Sequence, residues 1–579
     1  MPDRREHIDK RLFNLLTGLS VIFVILGISL WFFQVSRTDT YATLAYNNRL
    51  RMLRLPADRG DIYDRNGAPL AKDINTFSIM GYPLDIRKND LVPVIVRVFN
   101  DHGLPLTRDQ IESSIKGQYL VPYRAVTIVK DLTLSQMTDI ISDPRFPSLL
   151  FPMKVSRRTY PAGSLVSHLL GYVAEIDREE LADIEGDYRG GDMIGKAGAE
   201  KIFEKTLKGK PGKQAIEVDA RGRKVRTLDF TPSRSGKDIK LSVDLGSQLL
   251  VANRFGHFKG AAVAIDVFSG EILTLFSSPG YDNNPLTRGI STEEWRLLSL
   301  DKERPLMNRC ISGLYPPAST FKPVIALAGL EKGTINSRTT FYCNGAMRLG
   351  DRTFRCWKRS GHGRVDLAKA IKDSCDVYFY NVGLKTGIDD LAEMATTFGV
   401  GKMTGIPLPS ERSGNIIDKQ WKRKNIGERW YSGDTVNYSI GQGYLLMTPL
   451  QIARMYASFA NGGKMIVPRL TLAEKNESTE GKTIDISKAH LDLVREALRQ
   501  VVEDGTAEQA GQYGVSVAGK TGTCQNPHGP DHALFAGYAP ADDPRYAVAI
   551  VLEAGEHGGS VASPIAGELL AYLVKHNGE

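Results

Sequence analysis

Ser319 stands three residues before Lys322 in the run Ser319-Thr320-Phe321-Lys322. A serine hydroxyl is a poor nucleophile until a base takes its proton, and a lysine one helical turn on faces the same side. A lysine can be that base only if burial or a second cation lowers its pKa. Lys520, in Lys520-Thr521-Gly522-Thr523, is a candidate for the second cation, and Ser374-Cys375-Asp376 lies between the two runs. Alone, S-x-x-K is a weak signal, since most matches are ordinary helix surface. In this order the three runs read as a serine acyl-transfer site. Ser374 suits a proton relay between Lys322 and a leaving group. Asp376 reads equally well as a helix cap.

The flanking residues position these groups. Tyr315-Pro316-Pro317-Ala318 cannot continue a helix backwards, because proline fixes φ and lacks an N–H. The apolar run Phe321, Val324, Ile325, Leu327, Ala328, Leu330 reads as a buried helix, with Pro323 in its first turn. Ser319 is therefore expected at the helix start, its N–H at the positive end of the dipole and suited to an oxyanion. Lys520-Thr521-Gly522-Thr523 is expected to follow a strand over Val515–Gly519. A strand can line a cleft with a lysine, two hydroxyls and backbone N–H groups, and Gly522 would let a ligand backbone come close. The ligand expected is the anionic end of an extended peptide.

At 579 residues the chain exceeds one core. Its net charge of +8 is dispersed, without the basic runs of a nucleic-acid-binding protein. Residues 12–36 carry no charge, and at ~1.5 Å per residue their apolar part spans about 30 Å, one bilayer core. Arg4, Arg5, Lys10 and Arg11 precede this span, which predicts a cytoplasmic tail over 1–11, an uncleaved single-pass anchor over 12–36 and the rest outside the cytoplasm. Residues 37–236 are polar and loop-rich, with Arg59-Gly60-Asp61-Ile62-Tyr63-Asp64-Arg65-Asn66-Gly67, Arg158–Gly163 and His168–Tyr172. No nucleophile–base set appears there, so the segment reads as scaffold and His168 as structural. From 237 to 579 the pattern changes. A hairpin is predicted over Ala262–Asp266 and Ile272–Phe276, strands over Ala533–Tyr538 and Tyr546–Leu552, and a helix from Ser563 to about Val574. The fold class is α+β: one antiparallel sheet closed by both ends of this region and flanked by helices.

At these motifs the chain resembles the class B penicillin-binding proteins, membrane-anchored D,D-transpeptidases that cross-link peptidoglycan. Arg59–Gly67 is similar to their R-G-x-I-x-D-R-N-G element, Arg158–Gly163 and His168–Tyr172 to a later box, and Tyr438-Ser439-Ile440-Gly441-Gln442-Gly443 before Met447-Thr448-Pro449 is also family-like. The resemblance implies a transpeptidase fold over 237–579 on an elongated, β-rich pedestal over 37–236. It makes Ser319 the acylated nucleophile, Lys322 its base and Ser374 a proton-transfer residue. Lys520, Thr521 and Thr523 would hold the donor's terminal carboxylate, and the N–H groups of Ser319 and Thr523 would form the oxyanion hole. Asp376 stands where asparagine is usual, which is closer to elongation-type members than to septal ones. Stem peptides or lipid-linked precursors are the implied substrates, β-lactams the covalent inhibitors, and a SEDS-family glycosyltransferase the membrane partner. Water as acceptor would give a D,D-carboxypeptidase or β-lactamase instead, and a sensor would need more spans than this chain shows.

Five cysteines are present, and an odd number cannot all pair within the chain. Cys343, Cys356, His362 and Cys375 match a Cys3His zinc set, with a Cys343–Cys356 disulfide as the alternative. The resemblance favours zinc, because some elongation-type members bind a metal in this insert. The metal would be structural, pinning Ser374 and Asp376, with no cofactor needed for the chemistry. Cys524 is expected as an exposed thiol near the cleft; Cys310 carries no reading.

Overall fold

The computed structural model describes residues 3–41, 49–116, 125–219, 224–473, 481–527 and 529–577. The chain forms two compact units: one gathers 1–58, 74–157 and 209–235, the other 59–73, 158–208 and 236–579. Segments 59–73 and 158–208 thus pack with the C-terminal region.

In the first unit a helix over Asp3–Trp31 runs into a π-helical turn over Phe32–Ser36. From Ile8 to Ser36 it is long and apolar enough to cross a membrane, with its side chains unburied. The side chains of Arg4 and Arg5, used above to orient the anchor, lie outside the described residues. Strands Leu50–Leu55, Gly212–Val218 and Lys224–Thr231 form an antiparallel sheet in which Leu50 faces Glu217 and Lys213 faces Thr231. A separate core of Ile79, Ile86, Ile95, Phe99, Ile111, Ile140 and Leu150 lies under helices Val92–Asp101 and Leu134–Ile141.

The second unit contains a buried charge cluster that joins two of the motifs noted above. Glu200 is fully buried and accepts from Arg59 Nε and Arg158 Nε, each at 2.6 Å. Arg59 also reaches Glu204 at 2.7 Å, and Arg158 reaches Asp73 at 3.3 Å. Guanidinium groups remain charged at any ordinary pH, so their burial is tolerated only because carboxylates face them. Asp64 closes the neighbouring turn, accepting from Asn66 N–H at 2.8 Å and Ala68 N–H at 2.7 Å. His168 Nε2 lies 2.7 Å from Pro305 O, and burial pulls the imidazole down to about 4, which fits the structural role expected of it.

The main sheet contains β1 (Gly260–Asp266), β2 (Ile272–Ser278), β3 (Ala518–Cys524), β4 (His532–Ala539) and β5 (Tyr546–Leu552) in the order β2-β1-β5-β4-β3, with every pair antiparallel. Every residue of β5 is buried. Alternate residues of a strand point to opposite faces, so both faces of this strand are covered. Around the sheet and the site lie α1 (Lys322–Glu331), α2 (Asp376–Thr386), α3 (Ser432–Tyr438), α4 (Pro449–Ala460), α5 (Lys488–Glu503) and α6 (Ser563–Asn577). Helix α4 starts on a capping box, with Thr448 and Gln451 each accepting from the other's backbone N–H, and it packs on β1, β4 and β5. Helix α6 packs on β4 and β5, and α5 lies against β3. The sheet therefore ends on β3, an edge strand.

Candidate active site

Ser319 lies in a single 3-10 turn, Ala318–Phe321, and α1 begins at Lys322 with Pro323 in its first turn. The turn is pinned from several sides. Ala318 has a φ of +50°, and its N–H donates to Gly441 O at 2.8 Å. Thr320 Oγ1 donates to Pro317 O at 2.5 Å, and Tyr456 OH donates to Thr320 O at 2.9 Å. Phe321 meets the edge of Tyr438 at 5.8 Å. A non-glycine residue at positive φ costs free energy that such surroundings must supply, and strain of this kind gathers at functional sites.

Lys322 is fully buried. Its Nζ donates to Asp376 Oδ1 at 2.7 Å, to Ser374 O at 2.9 Å and to Ser374 Oγ at 3.1 Å. Ser374 is a second non-glycine residue at positive φ, +55°, between helix Leu367–Lys372 and α2. Asp376 is the first residue of α2, where a carboxylate complements the helix dipole. It does not cap that helix. Its Oδ2 accepts from Trp357 N–H at 2.9 Å, so both of its oxygens have protein partners. Trp357 Nε1 in turn donates to Asp373 O at 3.0 Å.

Lys520 is buried on β3, and its ammonium is held well below the usual lysine range, first by burial and then by the charge of Lys322. The expectation had Lys520 depressing Lys322. In the structure Asp376 is the direct counter-charge of Lys322, and the Lys322 charge is one cause of the lowering at Lys520. Lys520 Nζ reaches Thr521 O at 3.2 Å, Thr521 Oγ1 at 3.3 Å and Thr506 Oγ1 at 3.4 Å, and the two threonine hydroxyls are 3.0 Å apart. The K-T-G-T run lies inside β3, paired with β4 through Thr521 opposite Phe535, and does not follow a strand as expected. Thr523 is partly exposed. The space at Gly522 is occupied by protein: a Cβ there would lie 3.2 Å from Thr320 Cγ2 and 3.4 Å from Pro317 O. Its missing side chain brings the strand against the Ser319 turn.

Cys343, Cys356, His362 and Cys375 come together, with one ligand atom from each inside a sphere of mutual separations up to 4.8 Å. His362 Nδ1 is 3.6 Å from both Cys343 Sγ and Cys356 Sγ. Tetrahedral zinc, with Zn–S ~2.3 Å and Zn–N ~2.0–2.1 Å, sets sulfur and nitrogen about 3.6 Å apart, so the donor set fits that ion. The Cys375 thiol pulls Cys356 down, and Cys356 and burial push Cys375 up. All five cysteines are free thiols. Cys524 is buried at the end of β3, with burial raising it to about 12, and is not the exposed thiol expected. Cys310 is buried 3.1 Å from Phe276 O.

The fold thus brings Ser374 and Asp376 onto Lys322, and Lys520 and Thr521 onto Thr506, while the metal-type cluster adjoins Asp376 through the Trp357 amide. The sequence reading missed Thr506, Trp357 and Tyr456. Thr506 had one signal, a small polar residue after Asp504-Gly505. The Trp357 N–H had none, being a backbone donor.

Comparison with known proteins agrees with this geometry. The family described as "Penicillin binding protein transpeptidase domain" matches residues 260–571, and "Penicillin-binding Protein dimerisation domain" matches residues 54–241. Peptidoglycan D,D-transpeptidase MrdA of Acinetobacter baumannii is 35% identical over 94% of this chain and 85% of its own length. MrdA of Escherichia coli is 32% identical over 96% of this chain and 92% of its own. The structure of Helicobacter pylori PBP2 in complex with MreC superposes with a TM-score of 0.82 at 30% identity, covering 91% of this chain and 99% of that one. With a transpeptidase domain spanning the sheet and all three motifs, and MrdA likeness along nearly its whole length, the chain belongs to the class B penicillin-binding proteins of the PBP2 type and is a peptidoglycan D,D-transpeptidase.

Proposed function

We propose that Ser319 carries the acyl group in this transpeptidation. Ser319 Oγ attacks the penultimate carbonyl of a stem peptide ending in D-Ala-D-Ala, and Lys322 accepts its proton. The amide C–N bond breaks, and the terminal D-Ala leaves with a proton relayed through Ser374. An amine of a neighbouring stem then attacks the ester, forming the new amide and returning the proton to Ser319 Oγ. The observation that carries this reading is Lys322 Nζ, buried one turn after Ser319 and 3.1 Å from Ser374 Oγ. Asp376 acts through Lys322, holding Nζ beside Ser374. Lys520, Thr521 and Thr523 present a cation and hydroxyls to the donor's carboxylate. The N–H groups of Ser319 and Thr523 form the oxyanion hole. β-Lactams acylate the same serine.

The elongation assignment rests on Asp376, on the cysteine–histidine insert and on the likeness to MrdA proteins. The anchor is read as a single pass of the cytoplasmic membrane with the N-terminus inside, residues 37–236 as a non-catalytic pedestal and 237–579 as the transpeptidase domain outside. A SEDS-family glycosyltransferase is the expected membrane partner. One structural neighbour comes from work on a peptidoglycan synthase complex and another is in complex with MreC, which supports partners of those kinds. Cys343, Cys356, His362 and Cys375 would hold zinc, which when bound supplies a structural cross-link and no part of the acyl transfer.

Exchange of the terminal D-Ala of a stem pentapeptide for a labelled D-amino acid tests the reaction. Wild type should incorporate label and Ser319→Ala should not. Release of D-Ala with water as the only acceptor would favour a carboxypeptidase.

A further inference from the structure

The segment Ser439–Gly443 touches both walls of the site. On one side Gly441 O accepts from Ala318 N–H at 2.8 Å. Gly441 has a φ of +70°, and a Cβ there would lie 2.2 Å from Ala318 O, so only glycine lets this segment lie on the nucleophile turn. On the other side Gln442 Nε2 donates to Thr523 O at 3.1 Å. The Gln442 N–H donates to Asn437 O at 3.0 Å, which folds the segment back on α3.

Thr523 lies on β3, which among the described residues pairs with β4 alone. In an antiparallel ladder a residue's N–H and C=O point to the same side. A Thr523 carbonyl engaged by Gln442 therefore faces away from β4, toward the open edge, and so does its N–H. An edge strand has no neighbour to fix its groups on that side. Oxyanion donors must be held 2.7–3.1 Å from the position the oxygen takes.

We propose that Gln442 is a positioning residue for the oxyanion hole. Its amide ties the backbone of Thr523, whose N–H and C=O point the same way, to the segment that Gly441 anchors on the Ser319 turn, and so fixes the spacing of the two donors. The inference rests on the acyl-transfer reading of Ser319 and extends it.

The test is rapid-mixing acylation of the full-length protein by a fluorescent penicillin, separating the non-covalent dissociation constant from the acylation rate constant. Affinity for a boronic acid, whose tetrahedral adduct mimics the intermediate, is measured alongside. Gln442→Leu keeps the bulk without the donor, and Gln442→Glu keeps the shape and sets a carboxylate against the Thr523 carbonyl. Both should slow acylation about tenfold and weaken the boronate by a similar factor, about one hydrogen bond's worth, with the non-covalent constant unchanged. Acylation and boronate affinity within twofold of wild type in both variants would overturn the role. So would losses that fall equally on the non-covalent constant and follow the thermal midpoint. If wild type itself carries no adduct on Ser319, the acyl-transfer reading fails first. If wild type is labelled there and the variants react at its rate, only the role of Gln442 fails.

Discussion

Glu200→Ala removes the carboxylate that two buried guanidinium groups share. Arg59 and Arg158 each lose a charged hydrogen bond of 2.6 Å. Such bonds contribute about 1.5–3 kcal/mol apiece. Arg59 keeps Glu204 at 2.7 Å and Arg158 keeps Asp73 at 3.3 Å, so neither cation is stranded. The loss should therefore lie toward the lower end of the sum, about 3 kcal/mol. Neither arginine can escape by giving up its proton, so a change of pH cannot relieve the cost. In a unit of this size the loss corresponds to a fall of about 3–4 °C in the thermal midpoint. Differential scanning fluorimetry of the detergent-solubilised chain measures it. Glu200→Gln, which offers one acceptor but also a donor, should fall between wild type and the alanine variant. A shift below about 1 °C for Glu200→Ala would refute the view that this cluster holds segments 59–73 and 158–208 to the second core.

Further outcomes follow from other groups. The His168 imidazole lies at about 4 in the folded chain against 6.5 when free, so the unfolded chain binds the extra proton between those values. Stability from this site is complete above pH 6.5 and is lost as pH falls toward about 4, by about 3 kcal/mol; His168→Gln should flatten that decline in pH-dependent melting. Thr506→Val removes the hydroxyl 3.0 Å from Thr521 Oγ1 and should slow penicillin acylation about fivefold, an unchanged rate arguing against its support of Lys520 and Thr521. Protein kept reduced should carry one zinc per chain by elemental analysis, and chelation should lower the acylation rate because the Trp357 amide that holds Asp376 follows Cys356 directly; absence of stoichiometric zinc would sink that reading.

Several features were legible in the chain itself. Strands at both ends of the C-terminal region are strongly apolar, so the hairpin and the closing helix emerged close to their observed bounds. Pro323 correctly marked the start of α1, because its missing N–H is harmless only in a first turn. The K-T-G-T run was harder to place. Gly519 and Gly522 weaken any strand pattern, and pairing with β4 overrides that local signal. Cys524 was expected as an exposed thiol, whereas it is the last residue of β3 and its side chain is buried. The contacts that hold Asp376 and Thr523 come from distant segments: a backbone N–H beside Cys356, and a glutamine side chain in a run noted only for its family likeness. Their roles depend on tertiary packing that no local spacing encodes.

The most direct test of Ser319 as the nucleophile is penicillin labelling read by intact mass and peptide mapping, with wild type beside Ser319→Ala. A single adduct on the Ser319 peptide, absent from the alanine variant, is the predicted result. An adduct retained by Ser319→Ala would contradict the assignment.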